Sequence, residues 1–92
     1  GQTRSYRCTD GTRLAVAYIN PRQGVSLAVV ALNGGPAVLR QLPAASGARY
    51  VDVDEQRGLR WHTQGDKGFL AVLAADHTAT EQPLHMGCRA QP

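Results

Sequence analysis

The stretch RLAVAYINPRQGVSLAVVALNGGP, running from Arg13 to Pro36, decides the fold class. Its apolar residues recur with a period of two. Leu14, Val16 and Tyr18 alternate with Arg13, Ala15 and Ala17; Val25, Leu27, Val29 and Ala31 alternate with a second, partly apolar set, Ser26, Ala28, Val30 and Leu32. That spacing sends successive side chains to opposite faces of an extended strand, whereas a helix needs a period near 3.6. The Ala-rich run Ala28 to Ala31 also suits a helix. Gly24 before it and Asn33-Gly34-Gly35 after it leave too little length, and Val25, Val29 and Val30 are β-branched, so it is read as strand.

Turn signals punctuate the rest of the chain at short intervals: Asp10-Gly11, Asn20-Pro21 with Gly24, Ser46-Gly47, Gly58, Gly65 to Gly68, and Gly87. Strands are expected near 5–8, 13–19, 25–32, 37–41, 49–53, 59–63, 69–74 and 84–89. About eight short strands in 92 residues dispose of their exposed edges best by closing into a small all-β antiparallel barrel. No repeat, linker or low-complexity tract interrupts it, so residues 1–92 are read as one domain.

A domain of this size is near the lower limit of what an apolar core stabilises alone. Its two cysteines, Cys8 and Cys88, lie near opposite ends of the chain and form no Cys-x-x-Cys pair. They read as one clamp joining the N- and C-terminal regions, which implies an oxidising compartment; the alternative is two free thiols of a cytosolic protein.

The net charge of +3 comes from nine arginines and one lysine with no basic run, and the five aromatics are spread thinly. Nucleic-acid binding wants a clustered basic face with stacking rings, so none is expected. No apolar run reaches membrane-spanning length, and no signal-peptide pattern precedes Gly1. If the protein is exported, its targeting segment and any lipid anchor lie outside this sequence.

Catalytic chemistry is hard to find. Gly-x-Ser-x-Gly is absent, and Ala45-Ser46-Gly47 has no strand-elbow-helix setting. His62, His77 and His85 lack metal-ligand spacing, so neither metal nor cofactor is expected. Asp52, Asp54 and Glu55, beside Gln56, Arg57 and Gly58, read as a solvated acidic bend rather than a glycosidase carboxylate pair. A small clamped barrel without catalytic groups binds something through its loops.

Five blocks then stand out: Tyr6-Arg7-Cys8, Asn20-Pro21-Arg22-Gln23, Ala45-Ser46-Gly47-Ala48-Arg49-Tyr50, Gly65-Asp66 after an aromatic strand, and Cys88. Together they resemble the MliC/PliC family of Gram-negative bacteria, the membrane-bound and periplasmic inhibitors of c-type lysozyme. The resemblance implies a periplasmic protein or outer-membrane lipoprotein, not an enzyme, with c-type lysozyme as its protein partner. In that family a serine of the Ser-Gly block and a lysine before the Gly-Asp turn approach the catalytic carboxylates of the lysozyme cleft.

Carried over, the serine is Ser46, which otherwise reads as a turn-former beside Gly47. The lysine position holds Gln64, and where two aromatics are common the chain has Trp61-His62. Its only lysine is Lys67. The implied lysozyme-binding set is Ser46, Gly47, Arg49, Tyr50, Gln64, Gly65, Asp66 and Lys67. Lys67 or Arg49, with Arg60 and His62 as further candidates, would have to supply the missing charge, although each also reads as an ordinary solvated side chain. Trp61 reads as barrel core, and Tyr50 as support for the serine loop or a partner contact. Between Ser46 and Gly68 four basic residues face four acidic ones, so the excess charge lies elsewhere; C-type lysozymes are typically basic, and a neutral binding face lessens repulsion. The alternative is a non-inhibitory envelope-binding module of the same fold, recognising another lysozyme type, a glycan or a protein, and the loss of the lysine favours it.

Overall fold

The structure, a computed structural model, describes residues 1–73 and 80–92. Eight strands form a closed antiparallel barrel in chain order: β1 (Gln2–Arg7), β2 (Arg13–Ile19), β3 (Leu27–Leu32), β4 (Gly35–Leu42), β5 (Ala48–Asp52), β6 (Leu59–Gln64), β7 (Lys67–Val72) and β8 (Gln82–Ala90). Every strand pairs with its sequence neighbours, and β8 returns to β1. The expected boundaries at 5, 37, 69 and 84 lie too far inward. Pairing across the short hairpins runs up to the turns, and Gln64 sits directly opposite Lys67.

Alternation sends Tyr6, Leu14, Val16, Ala28, Val30, Ala37, Leu39, Tyr50, Leu59, Trp61 and Leu70 into the interior. An eight-stranded barrel is just wide enough to be filled by such side chains. Trp61 is fully buried, as expected, and meets Tyr6 edge-on with ring centroids 4.9 Å apart. Its indole N–H donates to the Tyr18 hydroxyl at 2.9 Å, and the Tyr18 and Tyr6 hydroxyls share a hydrogen bond of 2.7 Å. The polar groups of Trp61, Tyr18 and Tyr6 are thus paired with one another, while burial pushes the Tyr18 phenol well above its ordinary pKa.

On β3, apolar on both faces, the inward set is Ala28 and Val30 with Leu32 packed against them, whereas Val25 lies before the strand and is exposed. The barrel closes at its thinnest seam. Only Tyr6 opposite Ala90 and Arg7 opposite Arg89 pair β1 with β8, helped by Thr9 N–H to the Met86 carbonyl and Gln91 N–H to the Ser5 carbonyl. The Cys8–Cys88 disulfide lies at this seam, closing a loop with a sequence separation of 80 residues.

The acidic bend corrects the sequence reading. Asp52, at the end of β5, is buried rather than solvated. Its carboxylate accepts from Arg57 Nε at 2.7 Å and from the backbone N–H groups of Asp54 and Leu59. Burial by itself would raise its pKa; those donors outweigh burial and hold it below the usual carboxylate range. Asp54 and Glu55 are exposed, as expected of a solvated bend.

Candidate functional site

The loop between β4 and β5 carries Ser46, and the β6–β7 hairpin carries Gln64 to Lys67. They meet at one end of the barrel because Gly47 allows it. Its backbone is left-handed, with φ of 65°, and a Cβ there would run into the Thr63 carbonyl oxygen and come within 3.2 Å of the Gln64 Cβ. The serine loop is therefore packed directly on the end of β6.

Between loop and hairpin lies a groove of about 890 Å³. Ser46, Arg49, Gln64 and Lys67 line it, with Pro43, Ala44 and Ala45 on one wall and His62, Thr63 and Phe69 along β6 and β7. Arg49 stands opposite His62 and His62 opposite Phe69, so these three share an outward row. The His62 ring stacks on Phe69 at 4.5 Å and bonds Glu81 at 2.9 Å, which fixes its position in the groove.

Ser46 is exposed, and its hydroxyl bonds no other described residue; it does not tie off its own turn. Arg49, Gln64 and Lys67 likewise have no hydrogen-bond or ion-pair partner among the described residues. A hydroxyl, an amide and two cations thus face one groove with no carboxylate of their own, an arrangement suited to an incoming anion.

Other expected site residues fall elsewhere. Asp66 turns away from the groove and pairs with Arg4 at 2.8 Å. Tyr50 is buried, 5.7 Å from the Tyr18 ring, which fits support of the loop from within. Arg60 is not a solvated charge at the groove: it is buried, bonds the Leu59 carbonyl, and leaves its Nε without a partner. Of the other histidines, His85 pairs with Asp10 at 2.7 Å and holds that carboxyl near about 2, while His77 lies outside the described residues. Among the described residues no three His, Cys, Asp or Glu side chains gather to hold a metal ion. Phe69 is the groove residue that sequence reading missed. The signal was hairpin register, since a two-residue turn at 65–66 puts position 69 opposite 62.

Comparison with known proteins gives three findings. The profile of the family described as membrane-bound lysozyme-inhibitor of c-type lysozyme, MliC, matches residues 6–79. The crystal structure of PliC, the periplasmic lysozyme inhibitor of C-type lysozyme from Salmonella typhimurium, superposes with a TM-score of 0.82 at 19% identity, covering 98% of this chain and 96% of that one. Comparison with curated protein sequences finds no match.

Proposed function

The chain belongs to the MliC family of c-type lysozyme inhibitors, which are inhibitor proteins and not enzymes, and from that membership we propose that it inhibits a c-type lysozyme by filling the catalytic cleft with the Ser46 loop and the Gln64–Lys67 hairpin. Such a protein works in the periplasm or on an envelope membrane. The observation that carries the reading is the groove in which Ser46, Arg49, Gln64 and Lys67 converge without side-chain partners among the described residues.

Retaining glycoside hydrolysis keeps one protonated and one ionised carboxyl group close together. The Ser46 hydroxyl donates to one, and a cation pairs with the other. Gln64 supplies an amide but no charge. Lys67 stands directly across the hairpin from it, and opposed residues of an antiparallel pair project from the same face about 5 Å apart. A lysine at 67 therefore brings its ammonium to the space that a lysine at 64 would fill.

Inhibition constants for the wild type, Gln64→Lys, Lys67→Ala and the double variant test this. Hydrogen bonds to charged groups are worth about 1.5 to 3 kcal/mol against about 0.5 to 1.5 for neutral ones, so Lys67→Ala is expected to weaken inhibition about tenfold. Gln64→Lys should restore it in the Lys67→Ala background and change little alone. Equal inhibition by wild type and Lys67→Ala removes Lys67 from the mechanism. Failure of all four proteins to inhibit overturns the c-type reading and leaves the envelope-binding module, which the absent lysine at 64 favours.

A further inference from the structure

Four of the ten basic residues are scattered in sequence but not in space. Arg13 on β2 stands directly opposite Arg7 on β1, Arg7 opposite Arg89 on β8, and Arg89 opposite Lys67 on β7. All four are exposed, while their inward-facing chain neighbours Leu14, Tyr6, Cys88 and Gly68 are buried. The result is one outward row of four cations across four adjacent strands, roughly 14 Å long at the usual strand spacing.

Like charges placed directly opposite one another repel. Nothing among the described residues offsets that repulsion, because none of the four cations has a carboxylate partner. Asp66 and Asp10, the acids at the adjoining turns, are engaged by Arg4 and His85. Beside the row lies a second depression, of about 420 Å³, lined by Arg7 and Arg13 together with Ser5, Ala15, Ala31 and Gln91, with the buried Tyr6 and Leu14 at its floor. Small side chains, Ser5 and Ala15, form the next outward pair beside the two arginines and leave room for a compact anionic group.

We propose that this face of β1, β2, β7 and β8 docks the domain on a membrane surface through anionic phospholipid headgroups. A basic lysozyme would be repelled by Arg7, Arg13 and Arg89, so these three are not built for the inhibited enzyme; Lys67, which the proposed inhibition uses, stands at the groove end of the row. Single-stranded nucleic acid needs exposed stacking platforms, and the one ring in the lining of the depression, that of Tyr6, is buried in the core. The family is described as membrane-bound, which puts a lipid surface within reach. No helix among the described residues is long and apolar enough to cross a membrane; the charge of the row is what this face brings to an anionic surface.

Vesicle sedimentation tests the proposal with two charge-matched variants, Arg7→Gln/Arg89→Gln in the row and Arg22→Gln/Arg40→Gln at exposed positions off it. Wild type should partition to phosphatidylglycerol vesicles and not to phosphatidylcholine vesicles, with binding falling as salt rises. At about fivefold per basic residue, the row variant should lose about 25-fold and the off-row variant much less. Both should inhibit lysozyme at least as well as the wild type does, and the row variant should melt no lower, since a repulsion has been removed. Equal losses in the two variants would reduce the effect to net charge and overturn the proposal. So would equal binding to both vesicle types, no binding to either, or binding to a single-stranded oligonucleotide in place of vesicles.

Discussion

The two connections that flank β5 make an instructive pair. Each ends on a left-handed glycine, Gly47 with φ of 65° and Gly58 with φ of 68°, and each glycine packs against a carbonyl of a neighbouring segment, that of Thr63 or Leu73. Their polar groups have opposite fates. In the β5–β6 bend, Asp52 and Asp54 are consumed by backbone N–H groups and by Arg57. In the β4–β5 loop and across the groove from it, the side chains of Ser46, Arg49, Gln64 and Lys67 bond no described residue. The bend, richer in charged residues, spends them on holding the chain; the loop, nearly bare in sequence, is the one with groups to offer. Availability to a partner depends on what the backbone leaves unpaired.

If that division is right, substitutions should separate stability from inhibition. The largest effect should come from the seam that holds both connections in place. Cys8→Ser with Cys88→Ser is expected to cost about 4 to 5 kcal/mol, lowering the melting temperature by on the order of 20 °C. Inhibition should persist below the new transition, and an unchanged melting curve would show that the seam holds without its disulfide.

Next comes the bend. Asp52→Ala leaves the Leu59 N–H buried without its acceptor and Arg57 without its partner, at an expected cost of about 3 kcal/mol, with the inhibition constant of the folded protein unchanged. The sign of the pH effect follows from its depressed pKa. The folded protein binds this proton less readily than the unfolded chain, so the stability Asp52 contributes is present above the ordinary value of 3.8 and is lost as pH falls through the lowered one. Acid titrations followed by circular dichroism should show a shallower loss below pH 3.8 in Asp52→Asn than in the wild type. Matching acid limbs would mean that Asp52 is not the group responsible.

The smallest effect is expected at the loop. Ser46→Ala should weaken inhibition about tenfold, equivalent to about 1.4 kcal/mol, and leave the melting temperature nearly unchanged. A lower melting temperature with unaltered inhibition would return Ser46 to the turn and remove the contrast between the two connections.

Much of this protein is legible in local pattern. Period-two alternation with turn residues at short intervals points to short antiparallel strands, and about eight of them point to closure. Trp61 belongs to the core by alternation with its neighbours, and the spaced cysteines read as a clamp. The Ser-Gly and Gly-Asp blocks carry the family. All of these depend on residues near one another in sequence, or on the simple fact that a short open sheet has edges to hide.

Pairing between strands is another matter. β3 is apolar on both faces, so nothing within it chooses Ala28 and Val30 for the interior; barrel register chooses. Asp52 looked solvated because the Leu59 N–H that buries it belongs to the next strand. Arg7, Arg13, Lys67 and Arg89 looked scattered because no run of sequence joins them, and only the β2–β1–β8–β7 ladder sets them in line. The sequence by itself determined which segments are strands and which face most of them turn inward, because backbone alternation is a local property. Which side chains stand together on the outside, and which polar groups remain for a partner, only the closed barrel decided, because register is settled by all eight strands at once.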